Sequence, residues 1–135
     1  MRIQLRLLLV LMCACAPIAD SNAADQTDKA VRTAKTCLPL ITIDNINIVD
    51  RQNIVFRMKN HEYYVNRLPH TCPNLDDTRA IMYSTPLSSL CSLDIITVLD
   101  NIGGGFQSLG ACGLGEFQPV SMEEIQRLKD HKTGP

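Results

Sequence analysis

Four cysteines beyond residue 23 are the side chains of this 135-residue chain best suited to chemistry. No two of them form the Cys-x-x-Cys motif that supplies the reactive pair of a thioredoxin-like oxidoreductase. An even number of cysteines in a short chain instead indicates structural disulfides formed in an oxidising compartment. The sequence therefore predicts two disulfides among Cys37, Cys72, Cys91 and Cys112.

The pairing of these cysteines is open to three arrangements from the sequence alone. Cys72 and Cys91 enclose a predicted strand, and a bridge between them would close a loop of about 20 residues. The other pair, Cys37 with Cys112, would tie the first extended segment to the start of the last strand. A Cys91–Cys112 bridge is disfavoured because a plain hairpin would hold these residues at opposite ends. We expect Cys72–Cys91 and Cys37–Cys112.

His70 is a candidate for metal binding or for a Cys–His nucleophile, because it lies two residues before Cys72. A structural zinc site needs four ligands, and only His61 and Cys91 are available as further partners. In an oxidising compartment the thiol is better explained as half of a disulfide. We therefore expect no metal, no cofactor and no catalytic residue in this chain.

Three carboxylates are the remaining candidates for acid–base chemistry. Asp76 and Asp77 are adjacent in a predicted turn, where neighbouring side chains point apart, so they are interpreted as a solvated turn. Asp94 precedes a buried strand and is interpreted as a turn cap. A small hydrolase or metal-dependent enzyme that uses His70 with one of these carboxylates is the alternative to a non-catalytic protein.

A predicted β-hairpin positions two tyrosines that could contact a partner. The side chains of residues 53–58 alternate between the two faces of a strand. Residues 59–61 form a turn, and residues 63–68 return as the second strand. Tyr63 and Tyr64 point to opposite faces of that strand, so we expect one ring in the core and the other exposed. The exposed ring is the candidate protein-binding surface.

The rest of the chain predicts short strands and one helix. We expect a strand over residues 79–84, a helical turn over 87–93 and a central strand over 95–99. Residues 103–105 are interpreted as a flexible glycine connection, and residues 113–120 as the fifth strand. Ser121 and Glu124 form a capping box that begins a helix ending near Lys129.

These elements predict a mainly β (α+β) fold. We expect a small disulfide-linked antiparallel sheet, or a partly open barrel, of about five strands with a C-terminal helix. A barrel mouth could hold a small ligand, which is a second alternative function. The expected organisation is a flexible leader at residues 24–36, one domain at 37–130 and a frayed tail at 131–135.

Residues 1–23 predict export. Arg2 and Arg6 precede a short apolar run, and Ser21-Asn22-Ala23 supplies small residues at a signal-peptidase site. The apolar run is shorter than the roughly 20 residues that span a bilayer. In a competing interpretation the segment is a lipoprotein signal, and Cys15 carries the lipid that anchors the chain in the envelope.

The charge of the mature chain argues against nucleic acid as a partner. Removing residues 1–23 takes Arg2, Arg6 and Asp20 from 13 basic and 14 acidic residues, which leaves a net charge of −2. Both signs are scattered and form no basic stripe that could hold phosphates. No later segment is apolar enough to cross a membrane.

Six runs of residues carry a resemblance to a known family, namely residues 48–50, 54–56, 63–68, 72–75, 90–96 and 112–119. These runs resemble one proteobacterial family of small exported or lipid-anchored proteins, which is catalogued only as a domain of unknown function. The similarity implies a shared fold and compartment, and it carries over no catalytic residue. We therefore expect a periplasmic or secreted protein of a Gram-negative bacterium that binds another envelope protein or supports the envelope.

Overall fold

The computed structural model describes residues 33–133, and residues 1–32 and 134–135 lie outside this range. The described part is mainly β, with nine strands and one α-helix. In chain order the elements are β1 (Cys37–Pro39), a 3-10 helix (Leu40–Thr42), β2 (Ile43–Ile48), β3 (Asn53–Met58), β4 (Tyr63–Arg67), β5 (Ala80–Tyr83), β6 (Ser89–Cys91), β7 (Ile95–Ile102), β8 (Gly105–Gly113), β9 (Phe117–Val120) and α1 (Met122–Thr133).

The largest sheet is antiparallel and has the strand order β2-β3-β4-β9. Its central hairpin, β3 and β4, forms where the sequence predicts it, because both strands alternate two apolar faces. Ile54 and Phe56 lie in the main hydrophobic cluster, whereas Val55 lies in a second cluster with Ile125 of α1. The hairpin is therefore buried on both sides, by the main core on one side and by α1 on the other.

A second antiparallel sheet has the order β5-β7-β8 and covers the main core from the opposite side. Ile96 and Val98 of β7 are completely buried in that core. The predicted central strand is confirmed as the middle strand of this sheet. Its neighbour β8 pairs with it from Gly105 to Gly113, so residues 103–105 are not a flexible connection.

The hairpin of β7 and β8 turns through two glycines. Gly103 has a φ of 61° and Gly104 a φ of 89°, which only glycine adopts without steric cost. Two consecutive residues with positive φ are typical of the tight turn that fits the twist of paired strands. The glycine run is therefore the turn of a regular hairpin, and the chain forms more strands than the five expected.

The two-stranded sheet of β1 and β6 explains why the expected disulfide pairing is wrong. Residues 89–91 form a strand rather than a helical turn, and their register places Cys91 directly opposite Cys37. These two cysteines form one disulfide, with their Cα atoms 4.0 Å apart. Cys72 forms the second disulfide with Cys112 in β8, at a Cα distance of 5.8 Å. Two disulfides are confirmed, and they indicate a non-cytoplasmic environment.

The boundaries of the folded part differ from those expected. Lys35 forms a two-way backbone bridge with Phe117, so paired structure begins before Cys37 and inside the expected leader. At the other end, α1 continues to Thr133, beyond Lys129 and into the segment expected to fray. The expected signal segment, residues 1–23, and Cys15 lie outside the described residues.

Candidate functional site

The side of the β5-β7-β8 sheet that faces away from the main core is the candidate site. Side chains alternate along a strand, and directly paired residues share a face. Because Ile96 and Val98 point into the core, Ile95, Thr97 and Leu99 point away from it. With their partners in β5 and β8, these residues form what we call the outer face: Ala80, Met82, Ile95, Thr97, Leu99, Asn101, Phe106, Ser108, Ala111 and Gly113.

The outer face is uncharged and exposes large apolar groups. None of its ten members is Asp, Glu, Lys, Arg or His, although charged residues make up 20% of the chain. Phe106 is 68% exposed, Ile95 56% and Met82 54%. Large exposed apolar groups that share one face of a domain are typical of a surface that binds a protein. This face has the composition of an interface core, with an aromatic side chain among aliphatic ones.

Strand β8 also presents a free edge among residues 33–133, since β7 is its only neighbour in the sheet. Edge strands normally carry charges, prolines or bulges that prevent pairing with another chain. β8 has no charge and no proline, and its pairing with β7 is irregular opposite Val98 and Leu99. Asn74 donates a side-chain hydrogen bond to the Leu109 carbonyl at 3.2 Å, which partly covers the middle of the edge. The end near Phe106 is the more accessible one.

A cleft of about 600 Å³ lies at the opposite part of the fold, beside the β3–β4 turn and the start of α1. The Lys35 ammonium lies 4.7 Å from the centre of the Tyr64 ring, which is a cation–π contact. A hydrogen bond with the Tyr64 hydroxyl raises the pKa of Lys35 above its ordinary value. Tyr64 in turn donates to a Glu62 carboxylate oxygen at 3.2 Å. The ammonium group of Lys35 and the carboxylate of Glu62 therefore both interact with the Tyr64 hydroxyl in this cleft.

The predicted tyrosine surface does not form as expected. Tyr64 is buried in the main core, which agrees with one half of the prediction. Tyr63 is half-buried and packs against the second hydrophobic cluster beneath α1, so its ring is not the exposed partner surface. The exposed apolar groups lie instead on the outer face. The sequence signal for them is the scarcity of charge in β5, β7 and β8.

The carboxylates proposed for catalysis have structural partners. Asp94 accepts a hydrogen bond from the Cys91 backbone N–H at 2.6 Å, so it caps a turn as predicted. Hydrogen bonds from Thr78 hold the pKa of Asp76 below its ordinary value. An interaction with the Lys132 ammonium, 2.8 Å away, lowers the pKa of Asp77. Lowered pKa values make both carboxylates weak bases and leave them ionised at neutral pH.

His70 is exposed in the loop between β4 and β5. A cavity of about 620 Å³ lies beside Asp76, and His70 is not among the residues that line it. Across residues 33–133, no group of three or more histidine, cysteine, aspartate or glutamate side chains is arranged to hold a metal ion. The described cysteines are joined in disulfides rather than to a histidine.

Among residues 33–133 the three sheets do not close into a barrel, so these residues do not form the barrel mouth expected for a small ligand. Within the described range, no helix has both the length and the apolar character needed to cross a bilayer.

Comparison with other proteins identifies the family of the chain without assigning it an activity. Neither the comparison with curated proteins nor that with solved structures found a match. A family model does match, over residues 1–134, and it includes every run on which the resemblance was based. The chain therefore belongs to the family of unknown function DUF6491.

Proposed function

We propose that this chain is an exported, non-catalytic module that binds another envelope protein through the outer face of its β5-β7-β8 sheet. The observation that carries the proposal is the exposure of Met82, Ile95 and Phe106 on a face without charge. Leaving such a face in water is unfavourable by roughly 25 cal/mol for each Å² of apolar surface. A partner that covers it recovers this free energy.

Export is supported by the sequence of residues 1–23 and by the two disulfides. The arrangement of Arg2, Arg6 and Ser21-Asn22-Ala23 fits a cleaved signal. Cell fractionation followed by mass spectrometry tests this part of the proposal. The expected result is an envelope protein that begins at Ala24 or carries lipid on Cys15. A cytoplasmic protein that retains residues 1–23 would contradict it.

Site-specific photo-crosslinking tests the binding surface. A photoreactive amino acid at position 106 in living cells should form a crosslink to one protein. The same group at position 126, on the exposed side of α1, should form none. Met82→Lys places a charge on the outer face and should abolish the crosslink at position 106, because an unpaired charge is costly to bury.

The matched control is Gln126→Lys, which adds the same charge to α1 and should leave the crosslink at position 106 unchanged. Circular dichroism of both variants establishes that they fold. Equal crosslinking at positions 106 and 126, or a crosslink at 106 that survives Met82→Lys in a folded protein, would overturn the proposed surface.

A further inference from the structure

The two disulfides cross each other along the chain. Cys37 pairs with Cys91 over 54 residues, and Cys72 pairs with Cys112 over 40 residues. Each loop therefore encloses one cysteine of the other loop, so that the first cysteine is joined to the third and the second to the fourth. Neither bridge joins cysteines that are neighbours in the sequence.

Shorter loops compete with both native loops in the unfolded chain. The three neighbouring pairs, Cys37–Cys72, Cys72–Cys91 and Cys91–Cys112, are 35, 19 and 21 residues apart. The probability that two chain positions meet falls with roughly the 3/2 power of their separation. Cys72 therefore meets Cys91 about three times as often as it meets Cys112. It does so about five times as often as Cys37 meets Cys91.

The direction of synthesis also favours bridges between cysteines that are neighbours in the sequence. An exported chain emerges with its N-terminus first, so Cys37 and Cys72 reach the oxidising compartment before Cys91 and Cys112. Oxidation in order of arrival joins neighbours and gives Cys37–Cys72 and Cys91–Cys112. Both bridges of that species are absent from the folded domain.

We infer that this chain is a substrate of a disulfide isomerase, a partner enzyme that carries a reactive thiolate. This inference rests on the proposed export. The isomerase thiolate attacks the Cys37 sulfur of a Cys37–Cys72 bridge, forms a mixed disulfide and releases Cys72 as a thiolate. Cys72 then attacks the Cys112 sulfur of a Cys91–Cys112 bridge, forms Cys72–Cys112 and releases Cys91 as a thiolate.

The final exchange regenerates the enzyme. The Cys91 thiolate attacks Cys37 in the mixed disulfide, forms Cys37–Cys91 and releases the isomerase thiolate. Three exchanges convert the neighbour-paired species into the native one. Two disulfides are present before and after, so the rearrangement needs no net oxidant or reductant.

Burial protects the native Cys72–Cys112 bridge from further exchange. Cys72 is completely buried in the main core, and Cys112 packs against the same core while half-buried. A thiolate must reach a sulfur along the line of its disulfide bond, and packed side chains prevent this. Cys37 is exposed, so its mixed disulfide with the enzyme stays accessible to the Cys91 thiolate after Cys72–Cys112 has been buried.

Refolding of the reduced chain tests the inference. The full chain carries Cys13→Ser and Cys15→Ser, so that only the four domain cysteines remain. It is oxidised in denaturant-free buffer by a thiol-free oxidant, and the bridges are mapped by non-reducing peptide mass spectrometry. The neighbour pairs should outnumber the native pairs. Addition of reduced disulfide isomerase should then restore Cys37–Cys91 and Cys72–Cys112 at least about tenfold faster than an isomerase without its active-site cysteines.

The control variant removes the choice of partner. With Cys37→Ser and Cys91→Ser added, only Cys72 and Cys112 remain, so isomerase should not change the rate of thiol loss. Predominantly native pairing directly after thiol-free oxidation would overturn the inference, as would an isomerase that leaves the pairing unchanged. This refolding involves no envelope protein, so its outcome is independent of the binding proposal, and cell fractionation tests export separately.

Discussion

At the scale of single residues, a pair of hydrogen bonds joins Asn66 of β4 to Gly115, in the segment before β9. Asn66 is completely buried. Its side-chain amide donates to the Gly115 carbonyl at 2.7 Å, and its side-chain oxygen accepts from the Gly115 N–H at 2.9 Å. Both ends of the amide are therefore satisfied inside the core, which is the condition for burying a polar group without a penalty. This contact sets the approach of the two segments.

Replacement of Gly115 by alanine should destabilise the fold. A Cβ atom there would overlap the Arg67 carbonyl oxygen, and this backbone atom cannot move aside as a flexible side chain could. We expect Gly115→Ala to lower the free energy of unfolding by about 1–3 kcal/mol, measured by urea denaturation. Gly105→Ala is the control, because nothing lies within 4 Å of its added Cβ. Equal losses in the two variants would contradict this assignment.

The carboxylate of Asp76 predicts a dependence of stability on pH. The Thr78 side chain and backbone N–H both donate to it, and they hold its pKa below the ordinary value. Because the folded pKa is lower than the unfolded one, folding favours the ionised form. This contribution is complete above the unfolded pKa of about 3.9 and is lost as the pH falls through the folded pKa.

Thr78→Ala should therefore weaken the fall in melting temperature when the pH is lowered below about 4, because it removes the largest cause of the low pKa. Thr85→Ala is the control, since the Thr85 hydroxyl donates to a backbone carbonyl and not to a carboxylate. Melting temperatures between about pH 2 and pH 6 provide the measurement. Identical slopes for Thr78→Ala and the parent protein would show that Asp76 does not contribute in this way.

At the scale of elements, α1 depends on its first turn. The Ser121 hydroxyl accepts from the Glu124 backbone N–H at 3.2 Å, and a Glu124 carboxylate oxygen accepts from the Ser121 backbone N–H at 2.9 Å. This is the capping box that the sequence predicts. It holds the helix against the sheet, where Ile125 is buried in the second hydrophobic cluster.

Ser121→Ala should lower the free energy of unfolding by about 1 kcal/mol, because the N–H groups of the first turn lose an acceptor. Ser121→Asp should restore most of the loss, since aspartate is an equally good cap and its charge favours a helix N-terminus. Urea denaturation measures both variants. A Ser121→Asp protein as unstable as Ser121→Ala would show that the loss does not arise from capping.

The elements that the sequence predicted well are those whose signal is local. Strand β3, from Asn53 to Met58, and the capping box at Ser121 each follow from a few adjacent residues. Strand β8 was missed because glycines and small polar residues conceal its alternation, and tertiary pairing with β7 decides its structure. Strand β6 is only three residues long and depends on β1, which lies far away in the sequence.

The candidate site was not predicted, because the outer face is assembled from three strands that are separated in the sequence. Met82 lies opposite Thr97, and Thr97 opposite Ala111, so one surface combines positions about 30 residues apart. A pattern within a short stretch of sequence does not show which residues of distant strands become neighbours in a sheet. The tyrosine prediction did read the alternation of β4 correctly, but it lacked α1, which covers the second face and half-buries Tyr63.

At the scale of the whole molecule, the two disulfides hold different parts of the fold. Cys37–Cys91 links the two strands of the smallest sheet and is exposed at Cys37. Cys72–Cys112 links the loop after β4 to the edge strand β8, with Cys72 completely buried. The first bridge therefore ties down the start of the folded chain, whereas the second also fills the main core.

These differences predict which disulfide matters more for stability. In the chain-entropy model each bridge contributes about 4 kcal/mol, and the difference between the two loop lengths changes this by only about 0.3 kcal/mol in favour of Cys37–Cys91. Loss of buried sulfur leaves a cavity, which adds about 1 kcal/mol to the cost for the other bridge. We expect Cys72→Ala with Cys112→Ala to destabilise the protein more than Cys37→Ala with Cys91→Ala, measured by urea denaturation. The reverse order would show that the small sheet, rather than the main core, depends more strongly on its bridge.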